Sequence, residues 1–316
     1  MEMRQERSWS KITFFAFSTV HLAVWILLWR DHGWVSAFFY HCAWWSLLPA
    51  LAAWNEWRGP GSFLWENRRR WFLLLYSSAV FWFLFEAANF RLANWKYLGL
   101  PYWTPLRWTG YVVAYATVLP AVLELDRFFQ RWYPEPEPAA RHVLVHRGLL
   151  WRIGLLGTLM TAAALLMPTA AFPLIWVGPW FLFDLGAYLA GRDALLRRLA
   201  KGDFRTPLRW AAAGLTCGFL WEFLNYWAGA KWIYTLPYFN FGKVFEMPIL
   251  GYFGFACFAF ICKAAWEVIQ AVDEALHQRG YLARLAIFLI SAAFVWWTCH
   301  GIDEHTVVTY QVLAGE

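Results

Sequence analysis

The chain has 316 residues, 60% of them hydrophobic and only 15% charged, which excludes an ordinary soluble globular domain. Its formal charge of +6 lies in alternate connections between apolar runs rather than in one patch, so it gives no reason to invoke nucleic acid. The five cysteines are scattered through those runs without metal or haem spacing and read as small buried hydrophobes.

Nine apolar runs reach or approach the ~20 helical residues that a hydrocarbon core requires. They fall at 12–29, 35–54, 71–90, 109–125, 148–168, 173–191, 208–226, 247–267 and 281–299. The expected fold class is therefore an all-α polytopic membrane protein of about nine transmembrane helices. The first run follows a charged start but has no small-residue cleavage pattern, so it reads as a retained helix and not a removed signal peptide. The amino-terminal segment and alternate connections collect arginine, including Arg4, Arg7 and the run Arg68, Arg69, Arg70. The opposite connections hold only Arg30, Arg91, Lys96, Arg107, Lys231 and Lys243. This bias puts the amino terminus in the cytoplasm and the acidic carboxyl-terminal tail outside, in the inner (cytoplasmic) membrane. No span shows an obvious interruption at mid-helix.

The skeleton Phe-Leu-x-Glu-x-x-Asn-aromatic, then Trp-x-Tyr, then Leu-Pro-Tyr occurs twice. The first copy carries Glu86, Asn89, Phe90, Trp95, Tyr97 and Pro101, and the second Glu222, Asn225, Tyr226, Trp232, Tyr234 and Pro237. The spacing agrees to within one residue and points to an internal duplication. Two parallel four-helix units are expected, at 1–125 and 148–267. A cytoplasmic linker at 126–147, stiffened by the Pro-Glu alternation from Pro134 to Pro138, joins them. A ninth helix and outer tail occupy 268–316. Parallel repeats place a site at their mutual interface. The aromatic connectors after Asn89 and Asn225 cannot leave bare backbone in lipid, so they are expected to pack as interfacial caps or re-entrant loops. The alternative is an ordinary aromatic belt.

An ionised side chain within hydrocarbon costs at least ~2.5–3.5 kcal/mol, which makes intramembrane acids functional candidates. Glu86 and Glu222 lie near the outer ends of spans three and seven, with Asn89 and Asn225 on the same helix faces. Glu246, His41 and Asp184 complete the candidates. Each has a structural alternative: the two glutamates as glue between the units, Asp184 paired with a neighbour, His21 as a satisfied core histidine, Lys263 snorkelling to the interface. In the chemical reading Glu222 and Glu246 are proton donors with Glu86 in support, and Asn225 and Asn89 orient the acid or a water. Trp232, Tyr234, Trp95, Tyr97, Tyr226 and Phe90, with His41 and Asp184, bind substrate. Aromatic faces stabilise a cation by about 2 kcal/mol when dry. An acid in such a pocket can protonate a carbon–carbon double bond.

The residues Glu222, Trp232, Tyr234, Glu246, Pro248 and Phe253, and less fully Glu86, Trp95, Tyr97 and Pro101, resemble the small integral-membrane carotenoid enzymes. These are the lycopene-cyclase-domain proteins and the related carotenoid hydratases. The order here is Glu-Met-Pro, without the paired glutamates after proline that mark the cyclases. The resemblance implies a similar helical architecture and an apolar isoprenoid ligand. The partners expected are a membrane lipid or isoprenoid pigment, and membrane-complex subunits or a second copy of the chain. The competing functions are an acid-catalysed cyclase, hydratase or isomerase, a non-catalytic pigment- or quinone-holding subunit, and a small-solute transporter. No phosphate-binding loop, dinucleotide fingerprint or H-E-x-x-H occurs, so no cofactor is expected. His142 and His146 are four apart but lie in the basic linker, and no metal is expected there either.

Overall fold

The computed structural model describes residues 2–135 and 143–313. His142, most of the Pro-Glu alternation and the acidic end of the tail lie outside the described residues. Helices α1 (Glu2–Trp29) and α2 (Gly33–Arg58) pack as a long hairpin. The short α3 (Phe63–Glu66) leads into α4 (Trp71–Leu92). The first motif loop forms strands β1 (Trp95–Leu98) and β2 (Leu100–Pro101). Then come α5 (Thr104–Tyr115), α6 (Val118–Gln130), α7 (Arg147–Leu166) and the short α8 (Pro168–Ala171). A 3-10 turn at Phe172–Trp176 separates α8 from α9 (Gly178–Leu189), and the short α10 (Leu195–Ala200) follows. Helix α11 (Arg205–Trp227) carries the second motif, whose loop forms β3 (Lys231–Tyr234), β4 (Lys243–Val244) and β5 (Met247–Pro248). Helices α12 (Tyr252–Arg279) and α13 (Tyr281–His305) and strand β6 (Tyr310–Gln311) close the described chain.

Among the described residues, six helical stretches are long and apolar enough to cross a membrane: Ser8–Trp29, Trp71–Leu92, Arg147–Leu166, Pro168–Leu189, Ile249–Arg279 and Tyr281–His305. The described residues are thus mostly helical, with six candidate spans among them. The other expected spans also fall on helix, but α2 and α11 are diluted by polar and indole side chains and α5–α6 is broken.

That break corrects the expectation of uninterrupted spans. Pro120 cannot donate to the carbonyl four residues back and its ring crowds it, so the helix parts at Ala116–Thr117. Ser78 of α4 bridges the gap. Its hydroxyl donates to the Tyr115 carbonyl at 2.7 Å and accepts the Leu119 N–H at 3.0 Å. Backbone freed in an apolar interior must be satisfied in this way.

Helices approach one another through small residues. A side chain at Gly157 would meet the Gly178 carbonyl oxygen at 3.0 Å, so α7 and α9 pack nearly backbone to backbone. At Gly214 a Cβ would collide with the Phe255 carbonyl oxygen and meet Ala259 Cβ at 2.6 Å, which holds α11 against α12.

The two ends of the bundle differ. At the motif end, β1 and β3 pair antiparallel, with Trp95 opposite Tyr234 and Tyr97 opposite Trp232. The connectors expected to cap the bundle are therefore joined into one ladder. On the other edge of β1 the tail adds Tyr97 N–H to Thr306 O and Val308 N–H to Tyr97 O, both 2.9 Å, and β2 pairs with β6. At the opposite end the chain is tied by buried charges. Arg209 of α11 meets Asp126 of α6 at 2.7 Å. Glu124, fully buried, accepts from Asn55 Nδ2, Ser62 Oγ and the Leu64 N–H, each at 2.7 Å. Lys263 does not snorkel outward; it is buried, with Asp193 at 3.2 Å and Glu267 at 3.9 Å.

Replacing Gly214 by valine is expected to lower unfolding stability by at least about 1–3 kcal/mol, because the neighbour that must give way is backbone. Unfolding in detergent, followed by circular dichroism against denaturant, measures the loss.

Candidate functional site

The site begins with two asparagines at helix carboxyl ends. Asn89 on α4 accepts the Asn94 N–H at 2.8 Å and the Trp95 N–H at 3.3 Å, and its amide donates to the Trp95 carbonyl at 2.9 Å. Asn225 on α11 accepts the Trp232 N–H and donates to the Trp232 carbonyl, both at 2.9 Å. Each amide folds the following strand back over its own helix. The Trp and Tyr of each strand, two residues apart, then share one sheet face. Trp95, Tyr97, Trp232 and Tyr234 form a single aromatic plate across the ladder.

A glutamate stands behind each half of the plate. Glu86 is fully buried, and its Oε1 accepts from the Tyr97 hydroxyl at 2.6 Å, the Trp82 indole at 2.8 Å and the Tyr115 hydroxyl at 3.1 Å. The Trp95 indole lies 3.3 Å from both of its oxygens. Glu222, also fully buried, accepts at Oε1 from the Tyr234 hydroxyl at 2.7 Å and the Trp232 indole at 3.3 Å. Its Oε2 has no hydrogen-bond partner among the described residues. The two acids thus repeat the same Trp-and-Tyr bonding, but only Glu86 is saturated.

Under the plate lies a chamber of about 380 Å³, within the range of ligand pockets. The plate forms one wall. Tyr111 and Tyr115 of α5, Phe258 of α12, Trp176 and Trp221 form much of the rest, with Tyr40 and His41 of α2. Glu222 reaches this wall, whereas Glu86 is screened from it by its donors. Four buried polar atoms of lining residues have no partner among the described residues: Glu222 Oε2, Trp221 Nε1, Asn94 Oδ1 and His41 Nδ1. A buried polar group left unpaired costs about 1–3 kcal/mol. The other ring nitrogen of His41 lies 2.9 Å from the Gly110 carbonyl and must be its donor, so neutral His41 offers Nδ1 as an acceptor. Toward the mouth the lining turns apolar and exposed, at Phe239, Leu250 and Phe253.

The two basic groups that line the chamber, Arg107 and Lys231, are committed. Arg107 uses its guanidinium on Asp303 of α13 (2.9 and 2.7 Å), on the carbonyls of Pro101 and Tyr102 (2.8 and 2.6 Å) and on Thr104 Oγ1 (3.2 Å). Asp303 also accepts from the Trp108 indole at 2.7 Å and the Tyr111 hydroxyl at 2.9 Å, which clamps α13 to α5. Lys231 is 3.0 Å from Glu246.

Of the residues expected at a site, Glu222, Trp232, Tyr234, Trp95, Tyr97 and His41 converge on the chamber. Glu86, Asn89 and Asn225 lie behind its wall as its fixings. Four stand elsewhere. Glu246 is in the ion pair with Lys231, beyond the lining. Phe90 packs on Trp297 and His305 of α13, with centroids at 5.8 and 5.3 Å. Tyr226 is half-exposed beside Trp227 and Phe245. Asp184 accepts the Leu195 and Leu196 N–H groups at 2.7 and 2.8 Å, so it caps α10. His21 is a satisfied interhelical residue, accepting from Trp25 Nε1 at 3.1 Å and donating to Ser46 Oγ at 2.9 Å. Sequence reasoning missed Trp82, Tyr111, Tyr115, Arg107, Trp221 and Asn94. Trp82, four residues before Glu86, carried the only direct signal, since that spacing stacks side chains on one helix face.

Comparison with family models, curated proteins and solved structures finds no match for this chain. The chamber's chemistry rests on its own geometry.

Glu86→Leu is expected to strand several buried donors and cost more than about 3 kcal/mol, whereas Glu222→Leu strands two and costs less. Thermal unfolding of the two variants side by side checks the order.

Proposed function

We propose that the protein is a nine-pass, cytoplasmic-membrane protein that binds an apolar isoprenoid or carotenoid-type lipid in the chamber beneath the β1–β3 ladder. In this reading the amino terminus is cytoplasmic and the ladder lies at the outer face. Two four-helix units related by an axis along the membrane normal make up most of the chain, and α13 is the ninth pass. The ladder register supports the relation between units. Each motif's Trp is opposite the other motif's Tyr, as a two-fold axis through the Lys96–Ile233 pair requires.

The observation that carries the reading is Glu222, a buried carboxylate at the wall of a ring-lined chamber, whose Oε2 has no partner among the described residues; the chamber's lining turns apolar and exposed at Phe239, Leu250 and Phe253. A water-borne ligand would meet a polar mouth; a membrane-borne one meets this rim. Glu86 holds the wall through its ring donors, and Glu246 pairs through Oε1 with Lys231 of the lining.

The same free oxygen favours acid chemistry on the bound lipid. A proton on Glu222 Oε2 adds to one carbon of a double bond, and the cation formed on the other carbon lies against Trp and Tyr faces. Loss of a neighbouring proton to the carboxylate restores the acid, either at once, leaving an isomerised double bond, or after a second double bond of the same lipid attacks the cation, leaving a ring, with no co-reactant consumed. Non-catalytic pigment or quinone holding uses the chamber without this step.

Protein purified from its native membrane in mild detergent is expected to carry a stoichiometric isoprenoid lipid, detected by mass spectrometry of an organic extract and by absorbance. A preparation with no such lipid overturns the binding reading. Glu222→Gln is expected to lower turnover of that lipid at least about a hundredfold while leaving the melting temperature nearly unchanged. Full activity in that variant removes the acid mechanism and leaves the holding role.

A further inference from the structure

A second cavity, of about 400 Å³, opens between α4, α7 and α9, which belong to three of the stretches able to cross a membrane. Leu84, Phe85 and Ala88 of α4, Thr161 and Leu165 of α7 and Leu182 of α9 are among its lining. Thr161 is the one lining residue with a polar side chain, and its hydroxyl is spent on the Gly157 carbonyl at 2.8 Å. The groove shares no lining residue with the chamber, from which Phe85 divides it by stacking on Trp176 with centroids 5.4 Å apart. Leu84, Ala88 and Arg91 stand at i, i+4 and i+7 of α4 and so share one helix face. Arg91 lies one turn past the groove toward the motif end, about 10 Å along the axis from Leu84. It is exposed, and it donates through Nε to the Leu165 carbonyl at 3.1 Å and through Nη2 to the Leu166 carbonyl at 3.5 Å. Those bonds engage two of the five donors that a guanidinium carries, and no carboxylate pairs with it among the described residues.

We propose that this groove holds an acyl chain of an anionic glycerophospholipid from the leaflet at the motif end, with the lipid phosphate on Arg91. The groove and the cation at its end select the occupant together. A partner helix, about 10 Å across with its side chains, is too wide for the space. A neutral lipid fills the groove and leaves the guanidinium unused, whereas a soluble anion meets the guanidinium and leaves the groove empty. The planar fork of Arg91 matches two phosphate oxygens. A zwitterionic lipid carries its own ammonium to the same place, so net negative charge is favoured. One basic side chain near the membrane surface is worth about fivefold in affinity for an anionic lipid. The site goes beyond the chamber and does not depend on what the chamber holds.

The test titrates the full-length protein, delipidated in detergent, with phosphatidylglycerol and phosphatidylcholine carrying the same two oleoyl chains. Native mass spectrometry reads the affinity of the first lipid bound. Phosphatidylglycerol is expected to bind at least about fivefold tighter than phosphatidylcholine. Arg91→Gln is expected to bring the two within about twofold, and Arg91→Lys, which keeps the charge, to retain the preference. Ala88→Leu, which enlarges a side chain of the lining, is expected to weaken both lipids at least about threefold and leave their ratio unchanged. It also tests the site should Arg91→Gln fail to fold. Equal affinity for the two lipids in the unaltered protein overturns the proposal, as does an Ala88→Leu variant that binds both as before. An arginine that merely caps α7 lowers the melting temperature of Arg91→Gln and leaves the lipid preference intact, and that result overturns it too. Displacement of phosphatidylglycerol by millimolar inorganic phosphate assigns Arg91 to a free anion and overturns the lipid site.

Discussion

A carboxylate surrounded by hydrocarbon must find its donors within its own chain, and the motif end of this protein is arranged around that requirement. Leaving such a charge unmet costs several kcal/mol even with partial relief. Glu86 meets it with two indoles and two phenols drawn from α4, β1 and α5. Those bonds fix more than the acid. They set the strand over its helix, orient Tyr97 and Trp95 on a common face, and hold the end of α5 beside them. The broken helix α5–α6 then needs Ser78 of α4 to restore its backbone bonds, so the two interactions share one helix. The ladder follows from the placement of β1, and the chamber follows from the ladder.

The same rule explains which parts of the molecule were legible in the sequence. Helices were readable because hydrocarbon imposes length and apolarity, and the repeated Glu-x-x-Asn…Trp-x-Tyr skeleton was readable because each bond in it joins residues close in sequence. Asn225 to Trp232 and Glu222 to Tyr234 are local contacts. What the sequence did not reveal is carried by contacts between distant segments. Nothing near Arg107 in the chain announces Asp303 as its partner, and nothing near Asp126 announces Arg209. The pairing of one motif loop with the other, and of the tail with β1, is likewise long-range. Asp184 and Glu246 misled for the converse reason. Both are acids in or near apolar runs, and both are answered by groups outside those runs, the α10 N–H groups and Lys231.

The break at Ala116–Thr117 illustrates how an interruption can be structural. A discontinuous membrane helix often frees carbonyls and N–H groups that bind an ion or substrate. Here the Ser78 hydroxyl takes both roles at once, accepting from Leu119 and donating to Tyr115. The bend does serve the chamber indirectly, since it ends α5 at Tyr115, whose ring lies on the lining and whose hydroxyl holds Glu86.

The two acids diverge through their neighbours and not through the motif itself. Four residues before Glu86 stands Trp82, which supplies an indole bond on the same helix face. Four residues before Glu222 stands Gly218, where any side chain would collide with the Phe255 ring, so α12 fills the space that an indole occupies in the other copy. The phenol Tyr115 serves Glu86, whereas Tyr252 at the start of α12 donates instead to the Val244 carbonyl at 3.0 Å. Two donors are thereby missing from the second copy. Both of those donors bond Oε1 of Glu86, and the second oxygen is reached only by Trp95, which lies 3.3 Å from both; Trp232 reaches Oε1 of Glu222 alone, which leaves Oε2 unpaired among the described residues. A glutamate with four ring donors and one with two therefore follow from the same eight-residue signature, the difference lying one helical turn upstream, in the following helix, and in how far each motif's tryptophan spans the carboxylate.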